Sequence, residues 1–158
     1  MTGAADQIAD RIRALVYVDA FVPDNGQSLH DTLPADQRDA QVQGAIATGD
    51  GWRVSPIPAE IFNVNARDRA WVNEQRTPQS LATFQQPLRL TGAIDRIKNV
   101  TYVLATGWEH SPFPQFYEKA KAKGWKTLTM ACGHDVMLDK RDELLDVLLA
   151  VPGQPQAS

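Results

Sequence analysis

Apolar residues gather in three short runs separated by long polar stretches. Ala14-Leu-Val-Tyr-Val18 is brief and rich in β-branched and aromatic residues, the composition of a buried strand. Val100-Thr-Tyr-Val-Leu-Ala105 and Trp125-Lys-Thr-Leu-Thr-Met130 read the same way. Between these two, Phe113, Phe116, Tyr117 and Ala120 fall at i, i+3, i+4 and i+7, which predicts a helix over residues 112–123. Gly124 stands where that helix should stop. Asp139-x-x-Asp142 has the form of a capping box, and a last helix is expected to run to about Ala150 with Leu144, Leu145 and Leu148 on one face. Strand, helix, strand, helix at this spacing implies an α/β fold, a parallel sheet of about three strands with flanking helices. A short helical stretch precedes the first strand, and residues 152–158 are expected to fray.

Residues 23–95 break this pattern. They are dense in Pro, Gly, Gln, Asp and Asn, with short amphipathic pieces at 36–46 and 67–75. Such a stretch is too long for a plain loop and too polar for a sheet core, so it reads as a small helical insertion. A polar, proline-punctuated segment keeps large apolar residues where they bury against something. Trp52, Ile57, Ile61, Phe62 and Trp71 are therefore expected at pocket or insertion-core positions.

The length of 158 residues is one domain's worth of chain. A net charge of −3 gives no basic excess, which argues against a nucleic-acid partner. No apolar stretch approaches the ~20 residues of a membrane span, and the opening residues resemble neither a signal nor a transit peptide. The single cysteine, Cys132, cannot close an internal disulfide, which points to a reducing, cytoplasmic setting. Glycine-rich dinucleotide or phosphate loops and zinc-ligand spacings are absent from the sequence, so no cofactor and no metal are expected.

Three histidines are candidates for chemistry. His30 lies in the polar insertion, His110 in a loop beside Glu109, and His134 in Ala-Cys-Gly-His-Asp just after a strand. Loops at the carboxyl ends of parallel strands are where α/β proteins place their chemistry, which favours His134. Asp19 directly follows the first strand and could orient a histidine at a neighbouring strand end; an ordinary turn aspartate would look the same. Glu109, also after a strand, is the alternative acid. Asp135 reads as a turn former, Cys132 as small packing material, and the Lys119, Lys121, Lys123 and Lys126 series as a solvated face.

Leu15-Val-Tyr-Val-Asp-Ala-Phe-Val-Pro-Asp-Asn-Gly-Gln-Ser28 and Cys132-Gly-His-Asp-Val-Met-Leu-Asp139 resemble the α/β-hydrolase superfamily. The likeness is strongest to its small esterase-like branch near plant methylesterases and hydroxynitrile lyases, and it covers residues 3–151. It implies a single, incomplete α/β-hydrolase domain over residues 1–158 with residues 23–95 as the cap. His134 would be the general base. Many members place the acid after the penultimate strand, where this sequence has Glu109. Others, haloalkane dehalogenases among them, place it after the sixth strand, where Asp19 stands; Asp19 is the expected acid. The family's Gly-x-Ser-x-Gly elbow is absent from the sequence. The chain therefore resembles the C-terminal two-thirds of a serine-type hydrolase of small esters, supplying base, acid and cap, and inactive alone. The other reading is an inactive remnant or small-molecule binding module. The expected partner is a small-molecule ester; a homo-oligomeric state is left open.

Overall fold

The computed structural model describes residues 1–151, so the expectation for residues 152–158 lies outside the described residues. In chain order the elements are α1 (Thr2–Gln7), β1 (Ala14–Val18), α2 (Ala35–Thr48), β2 (Arg53–Val54), α3 (Arg69–Gln75) and β3 (Gln79–Ser80). They continue with α4 (Leu81–Gln85), β4 (Asn99–Ala105), α5 (Pro114–Ala122), β5 (Lys126–Met130), α6 (Val136–Asp139) and α7 (Arg141–Leu149).

The main sheet is parallel throughout, in the order β1-β4-β5. Its middle strand is the most continuously apolar run, buried from Val100 to Ala105. A central parallel strand covered on both faces requires just that pattern. The pleat then sorts its side chains. Val100, Tyr102 and Leu104 join Leu15, Tyr17, Phe113, Phe116, Ala120 and the α1 residue Ala5 in one core. Val103 and Ala105 join Met130, Cys132, Val136 and Leu144 in the other. Helices therefore cover both faces, α1 and α5 on one and α6 and α7 on the other. Gly124 ends the α5 turn at φ +70°, a conformation that disfavours a Cβ.

Residues 23–95 run between β1 and β4 as an excursion of short helices. Its only strands among the described residues are β2 and β3, two residues each, which pair with one another and not with the main sheet. Asp6 on α1 anchors the return. It is buried and accepts hydrogen bonds from the Thr91 N–H (2.7 Å), the Thr91 hydroxyl (2.8 Å) and the Ile94 N–H (3.0 Å). These bonds, the Thr91 backbone bond foremost, hold its carboxyl below the usual carboxylate range.

Three sequence expectations fail locally. Asp139 does not cap α7; its carboxylate instead accepts from Asn65 Nδ2 (2.6 Å) and the Gly133 N–H (3.2 Å). Leu145 and Leu148 are exposed, because the α7 stripe facing the sheet is Leu144 and Val147. Trp52, Ile57, Ile61 and Trp71 are also exposed, Trp52 at 55% and Trp71 at 56%. The insertion core is built from smaller residues, Ala59, Val64 and Val72, with Phe62 and Leu138 against them. A helix of seven residues such as α3 buries one position, Val72, and leaves its neighbour Trp71 turned about 100° away. Among the described residues, no helix is long and apolar enough to cross a membrane.

Phe116→Ala removes a buried ring from the α5 face and is expected to destabilise the fold by about 3–5 kcal/mol, whereas exposed Leu148→Ala should change it by no more than about 0.5 kcal/mol; denaturant unfolding separates the two. Asp6 has a lowered folded-state pKa, so its contribution is present above the unfolded value of about 3.9 and is lost as pH falls further. Asp6→Asn should therefore lower Tm at neutral pH, with the gap to the parent protein closing as the pH drops below about 4.

Candidate active site

β1 and β5 flank β4, so the loops after all three strands emerge at one end of the sheet. Asp19 is the residue after β1 and adopts φ +43°, a left-handed conformation that Asp tolerates better than most residues. Its N–H still continues the ladder to the Val103 carbonyl (2.7 Å). The kink turns the carboxylate over the end of β4, where Oδ1 accepts the Ala105 N–H (3.0 Å). Tyr102, fully buried, pins the next residue: its hydroxyl donates to the Ala20 carbonyl (2.7 Å) and accepts the Ala20 N–H (3.2 Å). Burial pushes that phenol's pKa well up.

His134 lies in the loop after β5. Its Nδ1 is 2.7 Å from Asp19 Oδ2, a contact between residues 115 apart in sequence. The Asp19 side chain is wholly buried and that of His134 is 26% exposed. Both Asp19 oxygens are thus occupied, one by the imidazole and one by a backbone amide. A carboxylate only accepts, so Nδ1 carries a proton, and in the neutral imidazole Nε2 then presents its lone pair. Nε2 takes no hydrogen bond from the described residues. The ring lies among Phe113, stacked at 5.2 Å, Trp108 at 5.3 Å and Phe62 at 4.9 Å.

The histidine loop is wedged in place by close backbone approaches. A Cβ on Gly133 would stand 2.2 Å from the Asn63 carbonyl oxygen, and one on Gly107 would stand 2.6 Å from that of Cys132. The His134 N–H donates to the Phe62 carbonyl (2.9 Å), and Asn63, itself at φ +53°, donates from Nδ2 to the Gly107 carbonyl (2.8 Å). The insertion thus reaches both strand-end loops through residues 62 and 63. A cavity of about 630 Å³ opens beside this junction, between residues 63–69 and 131–140. His134 does not line it and turns to the aromatic rings instead.

Of the sequence candidates, the structure brings together His134, Asp19 and Phe62. Glu109 and His110 sit in an exposed turn after β4, while His134 Nδ1 is bonded to Asp19. His30 is buried in the insertion against Gln41 (2.8 Å). Asp135 points away from the imidazole partner, to Arg76 at 2.7 Å. Cys132 packs in the core beneath the loop, and burial pushes its thiol up to about 11. Sequence reasoning missed Trp108, Asn63, Arg76 and the two close-approach glycines; a glycine directly before the histidine and another two residues past a strand were the available signals. Among the described residues, no group of three or more His, Cys, Asp or Glu is placed to hold a metal ion.

A three-stranded parallel sheet that presents a carboxylate after one strand and a histidine after another, with a helical excursion between, has the architecture of an α/β-hydrolase over part of its length. The chain belongs to the α/β-hydrolase superfamily, on its esterase-like side. It is 45% identical over 159 aligned positions to the carbendazim hydrolyzing esterase of Nocardioides sp. (strain SG-4G), a match covering 96% of this chain and 66% of that protein. The same fold is seen in an extracellular α/β-hydrolase from a Paenibacillus species, described as sharing structural and functional homology with tobacco salicylic acid binding protein 2. That likeness has a TM-score of 0.77 at 18% identity and covers 96% of this chain and 67% of the other. A pyrethroid hydrolase from Sphingobium faniae JZ-2 superposes with a TM-score of 0.66 at 14% identity, over 94% of this chain and 64% of its own. The chain thus spans about two thirds of the length of each. No protein-family model matches it.

Gly133→Ala should force the histidine loop off the Asn63 carbonyl, destabilising the protein by about 1–3 kcal/mol by overpacking, as read by chemical denaturation. With its thiol raised to about 11 and buried, Cys132 should resist alkylation at neutral pH in the native protein and react promptly once denatured.

Proposed function

We propose that this chain supplies the general base, the acid and the cap of a serine-type hydrolase of small esters, with the nucleophile provided by a segment bearing a Gly-x-Ser-x-Gly elbow. The observation that carries this reading is the 2.7 Å contact of His134 Nδ1 with fully buried Asp19 at adjacent strand ends, with Nε2 left open. In the proposed cycle Nε2 takes the serine hydroxyl proton as the oxygen attacks the ester carbonyl. Asp19 holds the tautomer and stabilises the imidazolium, which then gives the proton to the leaving alkoxide. Water deacylates the enzyme by the same route in reverse. Glu109 has no part in this scheme.

Residues 23–95 act as the cap, with Phe62 on the imidazole, and Trp108 and Phe113 complete an apolar wall around it. The 45% identity to a carbendazim hydrolyzing esterase makes carbendazim the first substrate to assay. The serines of the chain are poor nucleophile candidates. Ser28 is tied to Asp31 (2.7 Å), Ser111 receives the Phe113 N–H (3.2 Å), and none of the described serines bonds His134.

The test compares the 158-residue chain alone with the same chain joined behind an elbow-bearing segment. The chain alone should neither hydrolyse activated esters nor take label from a fluorophosphonate probe. The joined protein should do both, and His134→Ala or Asp19→Asn should then cut kcat by on the order of 10⁴-fold. Stoichiometric labelling of the chain alone would reveal a nucleophile among its own serines and overturn the scheme. A joined protein that folds, binds ester and stays inactive would favour a binding module.

A further inference from the structure

Arg76 follows α3 in the insertion, 59 residues before its partner Asp135, yet it touches both Phe62 and Asp135 beside the histidine. Its Nη2 meets Asp135 Oδ2 at 2.7 Å, with both side chains only 20% exposed. Its Nη1 donates to the Ile57 carbonyl (2.7 Å). Its guanidinium lies over the Phe62 ring at 4.6 Å. Phe62 and Asp135 are the two neighbours of the histidine on that side. Phe62 receives the His134 N–H through its carbonyl and packs its ring against the imidazole, and Asp135 is next in the chain.

We propose that Arg76 is a positioning residue for His134, a latch that grips Phe62 and Asp135 together and so fixes the imidazole over Asp19. Guanidinium suits this task because its planar fork can stack on an aromatic face and hold a carboxylate and a carbonyl at once, which an ammonium does not reproduce. The latch also gives Asp135 a cationic partner, so a second carboxylate one residue from the histidine does not compete with Asp19 for the imidazole. Other charged groups of the same loop face elsewhere: Asp139 is bound to Asn65 and the Gly133 N–H, and Lys140 to Glu143 (2.8 Å). Glu109 and His110 are exposed on the β4 loop. The proposal rests on the reading of His134 as the base, but its test needs no nucleophile.

The readout is the His134 ring in proton and nitrogen NMR of the full chain, assigned by its loss in His134→Gln. The parent protein should show a protected, downfield Nδ1 proton and the nitrogen shifts of the Nδ1–H tautomer. Arg76→Met should speed exchange of that proton by about tenfold, the scale of one lost hydrogen bond, and mix the tautomers while the strand amides of β4 keep their dispersion. Arg76→Lys, which keeps the charge on Asp135, should fall between the two. Asp135→Asn breaks the ion pair but leaves the stack on Phe62, and it decides the matter should Arg76→Met unfold: it too should loosen the ring proton. Unchanged ring signals in a folded Arg76→Met, or in Asp135→Asn, would overturn the proposal. A failed ester assay with these signals intact would count against the hydrolase reading and leave the latch standing.

Discussion

The site hangs on one hydrogen bond, that between His134 and Asp19, which ties the end of one edge strand to the loop after the other across the central strand. Residues 115 apart meet at 2.7 Å because β1, β4 and β5 run parallel and end together. The carboxylate is wholly buried, and a buried carboxylate is tolerable only with its oxygens partnered. The Ala105 amide takes one oxygen and the imidazole the other. Loss of either strand's register would strand that charge, so the sheet order and the site are one constraint.

Support for the pair is layered. Beneath Asp19, Tyr102 clamps Ala20 from both sides and holds the left-handed turn. Around His134, the approaches at Gly107 and Gly133 leave no room for a side chain, so the loops and the insertion segment 62–63 interlock through backbone. Precise placement of a functional side chain generally needs such a supporting shell. The insertion is accordingly part of the site: its Phe62 carbonyl accepts the histidine's own N–H, and its Phe62 ring packs on the imidazole.

The sheet was legible in the sequence from local pattern, whereas the choice of Asp19 over Glu109 as the partner of His134 came from the family resemblance, since both acids follow strands. A run such as Val100–Ala105, short and rich in β-branched and aromatic residues, reads as a strand buried on both faces, and an acid or histidine just past such a strand lies at the end where α/β proteins place their chemistry. The insertion was legible as helical but not in its packing. Large apolar residues suggested its core, yet α2, α3 and α4 bury one position each, Ala45, Val72 and Leu81, and Trp52 and Trp71 stay exposed. Asp139 looked like a cap because spacing alone cannot show that Asn65, 74 residues earlier, claims its carboxylate. The grip of Arg76 on Asp135 is the same kind of long-range pairing and left no trace in the periodicity.

The most direct measurement is a crystal structure of this chain joined to an elbow-bearing segment and inactivated with a fluorophosphonate. A phosphonylated serine is expected, its Oγ within about 2.6–3.2 Å of His134 Nε2, hydrogen-bond reach for proton transfer, with Nδ1 still on Asp19. Modification at a residue out of reach of His134, or an imidazole swung away from Asp19 and onto Glu109, would contradict these roles.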